Sequence, residues 1–201
     1  MRADDWDARY AHPNHVFGYK PNDFLAAHER MLRRGARVLC LGDGEGRNGV
    51  WLAQRGHDVV SVDYSRVGLR KAEALAAEKG VRIETQLRDL ADWVSDPAPD
   101  QPWDAIVSIF VHLPPALRRP VARTATEQSA PGAVLILEAY TPAQPALGTG
   151  GPSDPDLLMT RADVQTDWSG WHLDVRLLER RIFEGMDHQG LSSVVQALGK
   201  R

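Results

Sequence analysis

The chain has 201 residues, 43% of them hydrophobic and 25% charged, a composition that excludes wholesale disorder and suits a single folded domain. Its 24 Lys and Arg against 27 Asp and Glu leave a formal charge of -3, so no cationic excess exists to grip a nucleic-acid backbone. No apolar run approaches a membrane span, the first ten residues carry acids instead of a signal's apolar core, and a lone Cys40 cannot form an internal disulfide, so a cytoplasmic chain with no membrane partner is expected.

In chain order, residues 4–11 predict a short helix and 22–33 a second one, with Asn22 at its cap and Phe24, Leu25, His28, Met31 and Leu32 along one face. Five short apolar runs, 37–41, 58–62, 81–85, 104–109 and 133–137, read as buried strands, with helices over 47–56, 65–79 and 114–129 between them. Strand–helix alternation requires right-handed crossovers and a mostly parallel α/β sheet. Pro97, Pro99 and Pro102 mark a loop before the fourth strand. Residues 141–158, dense in Pro and Gly, predict a long surface loop. Thr160 with Asp163 reads as a capping box for a helix at 161–169, and 173–183 with 191–198 read as an antiparallel hairpin turning through 185–190.

The most informative segment is Val38-Leu-Cys-Leu-Gly-Asp-Gly-Glu-Gly-Arg-Asn-Gly49, a strand running into Gly42, Gly44 and Gly46 with a helix behind. Residues 44–49 satisfy G-x-G-x-x-G, a weak signal for a dinucleotide by itself. Pyrophosphate wants bare amides at a positive helix end, and Asp43 and Glu45 in the loop would repel it. Carboxylates there suit a cationic guest, a sulfonium beside an ammonium group, which favours S-adenosylmethionine over NAD. Asp63, at the end of the second strand and followed by Tyr64, can take ribose hydroxyls; Asp89, before Leu90 and after the third strand, can accept from an adenine amino group.

This ordered constellation resembles the class I S-adenosylmethionine-dependent methyltransferases. Trp6-Asp-Ala-Arg-Tyr10, Tyr19 with the Pro21-to-Leu25 run, the Gly46-Arg-Asn48 corner, His112-Leu-Pro-Pro115, Ala139-Tyr-Thr-Pro142, Gly148-Thr-Gly-Gly-Pro152 and Glu184-Gly-x-x-His188-x-Gly190 resemble the tellurite-resistance and thiopurine methyltransferase-like branch. The resemblance implies a Rossmann-like, seven-stranded sheet of order 3-2-1-4-5-7-6 with a C-terminal antiparallel hairpin, and S-adenosylmethionine as cofactor. In one respect the loop departs from that family: Cys40 stands where an acid is usual two residues before the first glycine, and Asp43 where a small residue is usual after it.

The same topology implies three parts of one domain, lid helices over 1–34, a cofactor-binding core over 35–140, and a substrate loop, last helix and hairpin over 141–201. It nominates Trp6, Tyr10, Gly42, Asp43, Gly44, Gly46, Asp63, Tyr64, Asp89, Leu90 and Ser108 for the cofactor, and Arg9, Tyr19 and Tyr140 for a small-molecule substrate. His112 and His188, the latter beside Asp187 in the hairpin turn, are the candidate proton acceptors. Seven scattered histidines and one cysteine give no metal signature. A thiol, selenium or tellurium acceptor needs little general base, whereas an oxygen or nitrogen acceptor of a small metabolite would use one. A catalytically silent cofactor-binding module is the alternative of another class. Monomer and homodimer both remain open.

Overall fold

The computed structural model of the chain describes residues 2–186 and 188–201. Seven strands, β1 (Arg37–Leu41), β2 (Asp58–Asp63), β3 (Glu84–Leu87), β4 (Trp103–Ile109), β5 (Ser129–Tyr140), β6 (His172–Glu184) and β7 (His188–Lys200), form one sheet of order β3-β2-β1-β4-β5-β7-β6. The first five pair in parallel, and β7 runs antiparallel to both β5 and β6. Parallel strands need helical crossovers, which cover both faces and make the central strands apolar throughout. On one face α2 (Asp23–His28) and α3 (Arg47–Gln54) pack Leu25 and Leu52 against Val38, Cys40 and Ile136. On the other, α5 (Leu90–Trp93), α6 (Pro115–Glu127) and α7 (Arg161–Asp167) bring Trp93, Ala122 and Val164 onto Leu39, Leu41 and Leu135. The remaining helices, α1 (Ala3–Tyr10) and α4 (Arg66–Glu78), pack on each other beside the glycine loop.

Asn22 caps α2 through Leu25 N, and Thr160 with Asp163 forms the capping box of α7, as their sequence spacing requires. Three expectations change. The second helix stops at His28 and continues only as a 3-10 turn to Met31, whose side chain points to solvent instead of joining the apolar face. The third strand begins at Glu84, because Val81 and Ile83 pack on Val50, Leu75 and Ala76 behind the end of α4 before pairing can start. The hairpin turn shrinks to the few residues between Glu184 and His188, since the ladder continues to that pair. His188 therefore opens β7 as a buried strand residue and is not a turn residue. Gly190, expected in the turn, sits in the ladder opposite Ile182, where a Cβ would stand 2.6 Å from Thr149 Cγ2. Asp187 lies outside the described residues.

A buried polar network ties the N-terminal segment to the last hairpin. Glu138 on β5 accepts Arg180 through both oxygens (2.8 and 2.7 Å), Asn22 Nδ2 (2.6 Å) and Gln196 Nε2 (2.6 Å). Glu184 accepts Arg47 (2.6 Å) and the same Asn22 amide (2.9 Å). Two buried carboxylates are tolerable because nearly every lone pair is used.

Candidate active site

Three glycines make the turn after β1 possible. Gly42, Gly44 and Gly46 all have left-handed φ, between +56° and +81°, and two of them also need to be bare. A Cβ on Gly44 would stand 2.5 Å from the Tyr10 hydroxyl, and one on Gly46 2.5 Å from Ala72 Cβ. The loop is thus clamped between α1 and α4. Its acids are turned to structural use. Asp43 accepts from Ser61 Oγ (2.7 Å) and Gly49 N (3.2 Å), and burial raises its pKa to about 6. Glu45 accepts from Val16 N (2.7 Å) and pairs with Lys71 (2.5 Å), whose ammonium also donates to the carbonyls of Tyr10, His12 and Asn14. Both side chains fasten the loop and the segment above it while still lining the cavity where the sequence expects a cationic guest.

At the carboxyl end of β2, Asp63 accepts Gly44 N (2.9 Å) on one oxygen and Ser65 N (2.8 Å) on the other. Burial raises it to about 6 against the opposing pull of those amides. A carboxylate has about four acceptor sites, so lone pairs remain for a ligand. Asp89 caps α5 through Ala91 N (2.8 Å) and still faces the same cavity.

Past the end of β4 the wall becomes aromatic. Phe110 is the only non-glycine residue with positive φ (+55°) among the described residues, an unfavourable backbone for a bulky side chain that surrounding packing must hold. It stacks on Tyr140 at 4.6 Å and meets His188 at 4.9 Å; His188 lies 4.6 Å from Phe17, and His112 stacks on Tyr140 at 5.6 Å with planes 8° apart. His112 donates its Nδ1 hydrogen to Leu157 O (3.3 Å), leaving Nε2 as acceptor. Burial pushes His112 down to about 4; burial, then Arg47, pushes His188 down to about 3. Both rings are neutral at pH 7, and the buried Nδ1 of His188 has no hydrogen-bond partner among the described residues.

The cavity is roofed by α1 and by the hairpin. Asp7 accepts Ser65 Oγ (2.5 Å) and Val67 N (3.0 Å) at the start of α4, which sets α1 across the opening. Arg9 lies over the Trp6 and Phe17 rings at 5.1 and 5.4 Å. Met186 N donates to Val16 O (2.8 Å), joining the hairpin turn to the N-terminal segment.

The cavity is about 350 Å³, the size of a small-ligand site. It brings together Trp6, Arg9, Tyr10, Gly42, Asp43, Asp63, Tyr64, Asp89, Leu90, His112 and His188 of the sequence-nominated residues. Five do not line it. Gly44 and Gly46 are covered by Tyr10 and Ala72; Ser108 faces a smaller void with Leu41 and Trp168; Tyr19 is on the surface against His15; and Tyr140 is wholly buried behind Phe110 and His112. Phe17, Phe110, Arg47, Asn48 and Arg88 line it without having been nominated. The Gly46-Arg47-Asn48 corner was in view as a resemblance, but nothing in the spacing tells that Arg47 reaches Glu184 across the sheet.

Comparison with known proteins agrees with this geometry. Residues 38–132 match the family model described as a methyltransferase domain. The 2-heptyl-1-hydroxyquinolin-4(1H)-one methyltransferase of Mycobacteroides abscessus is 30% identical over 125 residues, 60% of this chain and 54% of that protein, so the chain spans about half the length of the curated relative it matches. Among solved structures, TehB from Haemophilus influenzae superposes with a TM-score of 0.71 at 18% identity, over 89% of this chain and 61% of that one. A protein solved for the conversion of a disulfide bond into a thioacetal group during echinomycin biosynthesis gives 0.76 at 17% identity, over 100% and 92%. Magnesium protoporphyrin IX methyltransferase from Synechocystis PCC 6803 with bound SAH gives 0.62 at 18%, over 98% and 82%. The glycine loop thus lies within the stretch, residues 38–132, that is similar to the methyltransferase-domain family, and the seven-stranded fold of the whole chain is that of these solved structures.

Proposed function

We propose that the chain transfers a methyl group from S-adenosylmethionine to a small-molecule acceptor within this cavity, and that the acceptor is a thiol or a selenium or tellurium species. The observation that carries the reading is one continuous cavity with Asp63 and Asp89 at one end and the Phe17, Phe110, His112 and His188 rings at the other. The residues present fit a nucleoside: Asp63 keeps lone pairs toward the cavity, Asp89 and Leu90 line it at the next strand end, and Gly42 has no side chain there. When bound, S-adenosylmethionine supplies a methyl group already activated for in-line displacement. The chain's own work is to align the acceptor and exclude water, with α1 and the hairpin turn as cover.

The histidines support this acceptor class. A useful general base has a pKa near the working pH, and imidazoles near 3 and 4 are too weak to ionise a neutral alcohol. A thiol, with pKa around 8.5, is partly ionised by itself and needs no such base. The resemblance of the sequence motifs to the tellurite-resistance and thiopurine methyltransferase-like branch points the same way. Oxygen methylation is the second reading, favoured by the hydroxyquinolone methyltransferase relative.

Calorimetry with S-adenosylhomocysteine and NADH tests the cofactor, and tighter binding of NADH would sink it. Release of S-adenosylhomocysteine is then followed with small thiols, selenols, tellurite and a hydroxyquinolone. Turnover on the hydroxyquinolone alone would transfer the assignment to the second reading. Cofactor binding with no turnover on any acceptor would leave a silent module.

A further inference from the structure

The sheet ends on β6, a thirteen-residue strand with no neighbour on its outer side among the described residues. Long open edges present unpaired N–H and C=O groups and template the addition of another strand. Three large apolar side chains also stand in water there. Leu177 is 51% exposed, Phe183 72%, and Leu191, opposite Arg181 on β7, 37%. Alternation puts Leu177, Glu179, Arg181 and Phe183 on one face, beyond the stretch where Val175 is covered by the α7 side of the core.

That face reads the same from both ends when paired antiparallel with itself. With a two-fold axis through residue 180, Leu177 lies opposite Phe183 of a second copy and Glu179 opposite Arg181, and each contact occurs twice. Neighbouring registers fail: an axis through Glu179 or Arg181 sets that charge against its own copy, and one through Leu178 puts Leu177 opposite Glu179. On the reverse face the two Arg180 side chains meet at the axis, but each is already neutralised by Glu138 and Glu184. We propose that β6 is a homodimer interface, in which two copies join edge to edge, antiparallel about residue 180, into one continuous sheet. The partner is a second copy because both the charge order and the apolar order are self-complementary, as an isologous contact requires. Opposite charges facing across antiparallel strands stabilise, and like charges destabilise.

The test is sedimentation of the full chain over a wide concentration range, with Glu179→Arg and Arg181→Glu, both on the exposed face and away from the cavity. The parent chain should sediment as a dimer. Each single reversal sets like charges opposite each other twice and should raise the dissociation constant at least about tenfold. Far-UV circular dichroism should be unchanged. Mixing the two variants should restore dimers, since both cross-strand pairs of the mixed dimer again join an arginine to a glutamate. Under mild oxidation, a Glu179→Cys chain mixed with an Arg181→Cys chain should form a disulfide dimer faster than either variant alone, Cys40 being buried. A chain that is monomeric at every concentration, with the edge merely guarded by its charges or kept for another protein, overturns the proposal. So does a dimer that ignores both reversals.

Discussion

Two carboxylates beside the cavity, Asp43 and Asp63, are held where solvation is poor, and burial raises both to about 6. For a carboxylate raised on folding, the native state binds more protons than the unfolded chain between the two pKa values. Its contribution therefore falls as pH rises from about 4 to 6 and is flat above. Asp43→Asn removes the charge and keeps an acceptor for Gly49 N or Ser61 Oγ. Urea titrations should show the variant gaining on the parent across that interval, by on the order of 1–3 kcal/mol at pH 7. A parallel pair of pH profiles would show Asp43 to be charged at no cost. Asp63→Ala should weaken S-adenosylhomocysteine binding at least tenfold by calorimetry, since lost hydrogen bonds to a charged group cost about 1.5–3 kcal/mol each. An unchanged dissociation constant would reduce Asp63 to a brace for Gly44 and Ser65.

At the scale of elements, the cover over the cavity is one assembly. The α1 helix is held by Asp7 at the start of α4, residues 10–14 by Lys71, Val16 by Glu45, and the hairpin turn by Val16 in its turn. Gly185 is the tightest joint: its φ is +70° and a Cβ there would stand 2.1 Å from Val16 O. Gly185→Ala should separate the turn from the N-terminal segment, raising KM more than it lowers thermal stability. Hydrogen exchange should quicken over residues 11–18 in that variant, and slow over 4–20 and 141–158 in the parent when S-adenosylhomocysteine is added. If exchange in neither segment responds, the cover is not the path by which ligands enter.

Across the whole molecule, the Glu138 network joins β5, the N-terminal segment and the last hairpin through six side chains from separate parts of the sequence. Glu138→Ala leaves Arg180 with Glu184 alone in the network, takes one of the two acceptors of the Asn22 amide and removes that of the Gln196 amide. Removing one member of a buried pair typically costs about 3–5 kcal/mol, against about 2–5 for a core truncation such as Leu52→Ala. Chemical denaturation should place the Glu138 variant at or beyond the Leu52 one. A loss under about 1 kcal/mol would mean that the network sets positions without adding stability.

By itself the sequence determined the parallel sheet and the caps of α2 and α7, because apolar periodicity, capping spacing and glycine turns are local or ordered along the chain. The strand order β3-β2-β1-β4-β5-β7-β6 also followed, through the family's pattern. Tertiary structure decided what those residues face. Asp43 was legible as an acid in the loop, but only folding turns it onto Ser61; Tyr140 was legible at a strand end, but Phe110, held at positive φ, stacks on it and faces the cavity. Arg47, Phe17 and Glu138 carry no spacing signal, since their partners lie on other elements and a buried charge is recognised only by what surrounds it. Period and order are properties of neighbours along the chain, whereas burial, and the pKa values of His112 and His188 with it, exist only once distant segments exclude water together.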